Sequence, residues 1–292
     1  MSARLAIAGL CLLGAASIAQ AQQTLEPDRP RETVEPDRPD VTNGTHIVDT
    51  GLLQIEFGGL FTRTSSLRHA LGTPFTARIG VTDWLEARVG TDGILMQSDG
   101  VTHVTGIGGT QIGAKLRLWT DPGGAPVLSI LPTVNLPTAS VEKGLGSGSA
   151  DVTVAMLTGT DFLGRSHVDI NYAIGSIGGS DGTRHFAQHL LSVSASAVVS
   201  RWNPYVEAFW FSRQDAAGAA VAAIDAGVIY ELGARYAVDS GVQVGVSHEA
   251  PPLEVFGGLS MVVGDIAGSH GVHARQRRAQ RQAARKASST HN

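Results

Sequence analysis

The 292-residue sequence predicts an all-β fold, a transmembrane antiparallel β-barrel of about 12 strands. Three observations lead to this prediction. Apolar and polar residues alternate along many short segments, which is typical of strands with two different faces. These segments recur about 12 times with lengths near ten residues. The connections between them alternate between long and short, as in outer-membrane barrels.

The first residues predict an export signal. Residues 1–21 carry a positive charge at Arg4, an apolar run over residues 5–18 and a small-residue cleavage pattern that ends at Ala21. The alternative, a membrane anchor, is disfavoured because a spanning helix needs roughly 18 to 20 apolar residues. Cys11 is the single cysteine of the chain and lies inside this signal, so we expect no disulfide in the mature protein.

An extended, charged and proline-rich segment follows over residues 22–50. The word Glu-Pro-Asp-Arg-Pro occurs twice in it, at residues 26–30 and again at residues 35–39. Because proline fixes φ and lacks a backbone N–H, this segment is expected to be neither a helix nor an interior strand.

Residues 51–266 are predicted to form the barrel. In FTARIGVT, at residues 75–82, Phe, Ala, Ile and Val fall on one face of a strand, and Thr, Arg and Gly fall on the other. Helical spacing fits such segments poorly, since residues i and i+2 lie on opposite sides of a helix. The segments start near residues 53, 73, 84, 108, 125, 151, 165, 187, 204, 221, 240 and 253.

The connections give a second, independent indication. Long ones are expected at residues 65–72, 98–108, 138–149 and 175–185, and short ones at residues 83, 120–124, 163–164 and 201–204. Long loops face outward and short turns face the periplasm in outer-membrane barrels. Only the last outer connection, at residues 250–252, is short and breaks the alternation.

Alternation alone does not separate a lipid-facing barrel from a soluble sandwich. The apolar face is rich in small residues, which would fill a wide soluble core badly, whereas lipid needs no such filling. We therefore expect apolar residues to face lipid and polar residues to line the lumen. The predicted lumen-lining residues are Arg78, Glu86, Arg88, Lys115, Arg117, Asp169, Asn171, Glu207, Asp225 and Glu231.

Large aromatic residues stand beside the predicted short turns. Amphipathic rings favour the membrane–water boundary, so these residues predict an interfacial girdle, although aromatic residues also end strands in other β proteins. The predicted girdle consists of Trp84, Trp119, Phe162, Trp202 and Tyr236.

The second copy of the repeated word suggests a plug. We hypothesise that the segment with Asp37, Arg38 and Asp40 folds into the lumen and narrows it, with Arg38 paired to a lumen carboxylate such as Glu86 or Glu207. The interior of a barrel of about 12 strands is intermediate between the filled interior of eight-stranded barrels and the open channel of sixteen-stranded porins. Even a modest obstruction would therefore narrow the passage. The alternative is a disordered spacer.

The tail over residues 267–292 is rich in Arg and is expected to be disordered, or alternatively to bind anionic envelope polymers or lipid headgroups. The formal net charge of −4 is mixed along the chain, so we expect no nucleic-acid partner.

The sequence carries no spaced catalytic motif. It lacks HExxH and G-x-S-x-G, and its glycines at residues 106–109 have no following Lys-Ser/Thr, so we expect no metal, no cofactor and no enzyme activity. A membrane-bound hydrolase remains an alternative, because Ser192, Ser194 or Ser196 could meet a His and an acid across strands.

Seven pieces of the chain carry a family resemblance. They are DRPDVTNGTHIVDTGLLQIEFGG from Asp37, RIGVTDWLEARVG from Arg78, GIGGTQIGAKLRL from Gly106, LPTVNLPT from Leu131, NPYVEAFW from Asn203, DAGVIYEL from Asp225 and VFGGLSMVV from Val255. With these pieces the chain resembles the Putative MetA-pathway of phenol degradation family, described as transporter-like outer-membrane β-barrels. The doubled Asp-Arg-Pro word, Gly109 in place of a commoner Asp, and the basic tail depart from the family pattern.

The sequence thus predicts an outer-membrane channel for passive passage of small solutes. The resemblance implies aromatic or apolar compounds, and the expected partners are outer-membrane lipid and the solute. A barrel-type hydrolase and a structural barrel without transport are the alternatives.

Overall fold

The computed structural model describes residues 34–39, 41–120, 127–162, 165–179 and 184–266. The predicted signal peptide, the first copy of the repeated word, Asp40 and the basic tail lie outside the described residues. Within the described part of the chain, no helix is long and apolar enough to cross a membrane.

The described chain forms fifteen β-strands. They are β1 (Leu52–Arg63), β2 (His69–Gly72), β3 (Phe75–Thr82), β4 (Leu85–Thr91), β5 (Ile94–Ser98), β6 (His103–Ile107), β7 (Thr110–Trp119), β8 (Val127–Leu136), β9 (Asp151–Phe162), β10 (Ser166–Gly178), β11 (His185–Ala197), β12 (Trp202–Phe211), β13 (Val221–Gly233), β14 (Tyr236–Gly245) and β15 (Leu253–Asp265).

The strands close into one antiparallel barrel, since β15 pairs with β1 along the full length of β1. β2 and β3 pair with successive parts of β1, and are therefore one barrel strand interrupted at residues 73–74, where Pro74 lacks an N–H. β4 with β5 and β6 with β7 are interrupted in the same way, so the fifteen segments make twelve barrel strands. This confirms the predicted fold class and strand number.

The barrel wall has its polar side chains inside and its apolar side chains outside. Arg78 and Lys115 are fully buried at 0% exposure, and Gln54 and Glu56 of β1 are buried as well. Their apolar neighbour Phe57 is 42% exposed on the outer surface. Charged residues are almost never buried this way in a soluble core. The wall is thus inverted, as lipid requires of a membrane-spanning barrel.

The connections fall into two groups at opposite ends of the barrel. At the end where β1 begins, called the turn end below, they span residues 83–84, 120–126, 163–165, 198–201 and 234–235. At the other end, the loop end, they span residues 64–68, 99–102, 137–150, 179–184, 212–220 and 246–252.

Several predicted connections are wrong in their bounds. The connection expected at residues 65–72 covers residues 64–68, because β2 begins at His69, and the one expected from residue 175 begins only after Gly178, where β10 ends. The short turn expected at residues 201–204 lies at residues 198–201, because β12 begins at Trp202. The long outer connection expected at residues 98–108 shrinks to residues 99–102, because β5 and β6 pair as far as Ser98 and His103. The last outer connection covers residues 246–252 rather than residues 250–252 alone, so it does not break the alternation.

Candidate functional site

The chain that precedes β1 lies inside the barrel. Residues 34–39 and 41–50, called the lumen segment below, begin at the turn end, where the Val34 N–H donates to the Ala234 carbonyl at 2.6 Å. They also end there, because Val34 and Val48 both pack in one buried apolar cluster with Leu52 and Val262. The segment therefore enters and leaves the lumen by the same end.

Asp37 contacts three cations on neighbouring strands. Its carboxylate accepts hydrogen bonds from Lys115 Nζ and from Arg88 Nη2, each at 2.7 Å, and lies 3.3 Å from Arg78 Nη2. Arg78 and Arg88 are direct cross-strand partners, an arrangement that repels without an anion. Burial by itself would raise the pKa of Asp37, but Arg78, Lys115 and Arg88 together hold that pKa well below its usual range.

Arg78, Arg88 and Lys115 form a basic wall, and two neighbouring carboxylates bind Arg78. Arg78 binds Glu86 in a bidentate pair, with both N···O distances at 2.9 Å, and its third nitrogen donates to Glu56 at 2.7 Å. Such charge-assisted pairs are the stronger hydrogen bonds in proteins. Glu86 also accepts the backbone N–H of Val48 at 3.0 Å, which ties the returning arm of the lumen segment to the wall.

Arg38 points to a different, acidic part of the barrel wall. Its guanidinium reaches both oxygens of Asp239 on β14 at 3.4 Å and donates to the Gly257 carbonyl at 3.3 Å. The guanidinium lies against Gly58 and Gly258, which are cross-strand partners on β1 and β15. A Cβ at Gly58 would lie 2.3 Å from Arg38 Nη2, and one at Gly258 would lie 2.7 Å from Arg38 Nε. The two glycines thus leave the space that the guanidinium occupies.

The carboxylates expected to pair with Arg38 have other partners. Glu86 is bound by Arg78, and Glu207 accepts the backbone N–H groups of Val41 at 2.8 Å and Thr42 at 2.5 Å. The Thr42 hydroxyl contacts Glu207 and also Ser192 Oγ at 2.9 Å. Arg38 therefore pairs with a lumen carboxylate, but with Asp239 instead of Glu86 or Glu207.

The remaining predicted lumen residues are more scattered. Asp225 is buried and is the cross-strand partner of Glu207, and Asn171 is buried on β10. Arg117 is half-buried near the turn end of β7. Glu231 is exposed at the turn end of β13, away from the lumen segment.

Asp169 lies beside a histidine, which bears on the hydrolase alternative. His167 Nδ1 lies 2.6 Å from Asp161 Oδ1, and His167 Nε2 lies 3.2 Å from Asp169 Oδ1. Ser196 is the cross-strand partner of His167. Since carboxylates face both ring nitrogens, this geometry does not present a base to Ser196 as nucleophilic catalysis requires.

The five predicted girdle aromatics all stand at the turn end. Trp119, Phe162, Trp202 and Tyr236 are exposed and Trp84 is half-buried. Trp202 also packs against Tyr230, with ring centroids 4.5 Å apart.

Two neighbouring cavities lie in the lumen. The inner cavity has a volume of about 300 Å³ and is bounded by Asp37, Arg38 and Asn43 of the lumen segment and by the wall of β1, β3, β4 and β7 to β12. The outer cavity, of about 290 Å³, lies under the connection of residues 137–150. Gln111 and Asn135 line both cavities, which places these two amides between the compartments.

The sequence model of one family, described as Putative MetA-pathway of phenol degradation, matches residues 36–261. The chain belongs to this family. The matched region starts inside the lumen segment and ends in β15, so the family pattern contains the segment and the barrel together. No curated protein was found to match the chain in sequence.

Solved structures share the fold of this family member. The COG4313 outer membrane channel from Pseudomonas putida F1 is 12% identical, with 81% of this chain and 100% of that chain covered and a TM-score of 0.60. The NanC porin is 10% identical, with 72% of this chain and 98% of that chain covered and a TM-score of 0.50. At these identities the likeness is one of fold.

Several functional residues were missed from the sequence. Glu56 binds Arg78, Asp239 binds Arg38, and His46 lies 3.6 Å from Asp37 Oδ1. Glu56 and Asp239 could have been found, because each occupies the polar position of an alternating strand. His46 carries no such signal, since it lies in irregular chain.

Proposed function

We propose that this chain is an outer-membrane channel for passive passage of small solutes, and that its lumen segment is a built-in plug. The observation that carries the proposal is the inverted barrel wall, with lipid-compatible side chains outside and ionic side chains around a lumen that holds two cavities. Its family membership and the outer membrane channel and porin among its structural relatives support the proposal.

The turn end is proposed to face the periplasm, with residues 1–21 removed as a signal peptide on export. The shorter connections lie at this end, and so do both ends of the described barrel chain. The five girdle aromatics would then lie at the periplasmic interface of the outer membrane.

The plug is proposed from the contacts of the lumen segment with opposite walls. Asp37 binds the basic wall of β3, β4 and β7, Arg38 binds Asp239 on β14, and Thr42 binds Glu207 on β12. A segment fixed to both sides of a lumen obstructs it.

Planar-bilayer conductance tests both parts of the proposal. Deletion of residues 22–45 removes most of the lumen segment and should raise single-channel conductance in KCl. Deletion of residues 22–33 is the matched control, because it leaves the lumen segment in place. Equal conductance of the two variants would refute the plug.

The alternatives give different results in the same preparation. A structural barrel without transport would conduct no ions in either variant and would not let small sugars swell liposomes. An outer-membrane hydrolase would release product from a chromogenic ester, and an organophosphate would trap its serine.

A further inference from the structure

An apolar row interrupts the polar wall of the lumen. Five inward-facing side chains on five successive strands are direct cross-strand neighbours, and all five line the inner cavity. They are Leu131, Ala155, Ala173, Leu190 and Phe211. Apolar surface that faces a hydrated cavity is unfavourable in free energy. A solute that covers this row would recover that free energy.

A polar row runs directly beside the apolar row, and on β8 to β11 its members lie two residues nearer the loop end. It begins at the cation Arg88, continues through Gly113, Thr133 and Thr153, and ends at Gly175 and Gln188. Two of its members, Gly113 beside Arg88 and Gly175 on β10, are glycines that line the cavity. The wall thus offers hydrogen-bonding groups along one edge and hydrocarbon along the other.

The charges that reach the cavity surface are mainly positive. Four charged residues line the cavity, but the side chains of Arg38 and Arg88 are 15% and 11% exposed, whereas those of Asp37 and Glu56 are 4% and 2% exposed. The two carboxylates are covered by Lys115 and Arg78, which bind them at 2.7 Å. Guanidinium groups present a planar fork that matches a carboxylate.

We infer that the inner cavity binds a small organic monocarboxylate with an apolar body, an inference that rests on the proposed channel function and names its solute class. The carboxylate contacts the guanidinium groups of Arg88 and Arg38, and the apolar body covers the row that ends at Phe211. A volume of about 300 Å³ is at the small end of ligand cavities. The solute arrives from the loop end through the outer cavity, past the amides of Gln111 and Asn135.

The test compares benzoate with benzamide, a neutral molecule of nearly the same shape. Binding to the full-length mature protein in detergent is measured by ligand-detected NMR. Benzoate is expected to bind at least about tenfold more tightly than benzamide, because a site that pairs with a charged group rejects an analogue that lacks it. Equal binding of the two, or binding of neither, overturns the inference.

A variant pair tests the apolar row. Leu190→Asn places an amide in the row and should weaken benzoate binding about tenfold. Leu60→Asn is the matched control, because Leu60 faces the lumen from β1 but lines neither cavity. An equal effect of the two substitutions overturns the inference. If Leu190→Asn does not fold, the comparison of benzoate with benzamide on the unmodified protein still tests whether the cavity binds a carboxylate.

Conductance in KCl separates this inference from the channel proposal. If the variant lacking residues 22–45 conducts ions but the protein does not bind benzoate, the inferred solute class is wrong and the channel proposal is still supported. If the protein binds benzoate selectively but that variant conducts no ions, the binding site stands and the channel proposal fails.

Discussion

Asp37 and Arg38 are consecutive in the chain and bind different parts of the barrel wall. Asp37 lies 2.7 Å from Lys115 Nζ on the basic wall, and Arg38 lies 3.4 Å from Asp239 on the acidic wall. One dipeptide therefore pairs with wall charges of both signs. Removing one partner of a buried ion pair costs roughly 3 to 5 kcal/mol, because it leaves the other charge uncompensated.

Asp37→Asn should open the channel and change its ion selectivity. The substitution keeps the shape of the side chain but leaves Arg78, Arg88 and Lys115 without one of their anions, so docking of the segment should weaken by about 3 kcal/mol. We expect conductance to approach that of the variant lacking residues 22–45, with a shift towards anions in the reversal potential across a KCl gradient. Asp99→Asn, in an exposed loop-end connection, is the control. An unchanged reversal potential would contradict the charge arrangement.

A disulfide should lock the lumen segment in place. Thr42 Oγ1 and Ser192 Oγ lie 2.9 Å apart, so cysteines at both positions bring two sulfur atoms together. The double variant Thr42→Cys with Ser192→Cys should show low conductance under oxidising conditions and higher open probability after reduction. Each single cysteine variant serves as a control and should not respond to reductant. A double variant that conducts fully while its disulfide is intact would show that the segment does not obstruct the lumen.

The docked segment should be insensitive to pH over the neutral range. The folded pKa of Asp37 is depressed by Arg78, Lys115 and Arg88 despite its burial. Its stabilising charge is therefore fully present above the unfolded pKa of about 3.9 and is lost as pH falls through the lower folded value. Open probability should stay constant from about pH 7 to 5 and rise only below about pH 4. An opening between about pH 5 and 7 would contradict a depressed pKa of Asp37.

Gly58→Ala should displace the Arg38 guanidinium without changing any charge. The new Cβ would lie 2.3 Å from Arg38 Nη2 and 2.4 Å from the Gly257 carbonyl oxygen, so the neighbouring groups must move. We expect the free energy of unfolding, measured by urea titration in liposomes, to fall by about 1 to 3 kcal/mol. Gly59→Ala is a close control, because nothing lies within 4 Å of a Cβ at Gly59. Equal stability of the two variants would argue against the described contact.

The girdle prediction can be checked by fluorescence quenching. A variant whose only tryptophan is Trp202 should be quenched more by bromines placed near the lipid headgroup than by bromines near the chain ends, because Trp202 is 52% exposed beside the connection at residues 198–201. A variant that retains only Trp119 should behave in the same way. If bromines near the chain ends quench Trp202 more strongly, the ring lies near the bilayer centre and the girdle prediction is wrong.

Local alternation was sufficient to predict the barrel and its twelve strands, because each strand has one face in lipid and one in the lumen. The breaks at residues 73–74, 92–93 and 108–109 were not predicted, since an interrupted strand keeps the same alternation on both sides. The partner of Arg38 was not predictable either. Arg38 meets Asp239 across 201 positions of sequence, and irregular chain has no period from which such a contact could be read.

The lumen segment is covalently continuous with β1 through residues 49–51. Its return to the docked position is therefore an intramolecular step, governed by an effective concentration in roughly the millimolar range for a short tether. Closing should follow first-order kinetics at any protein dilution. A separately added peptide with the segment's sequence would have to reach comparable concentrations before it could replace the native one.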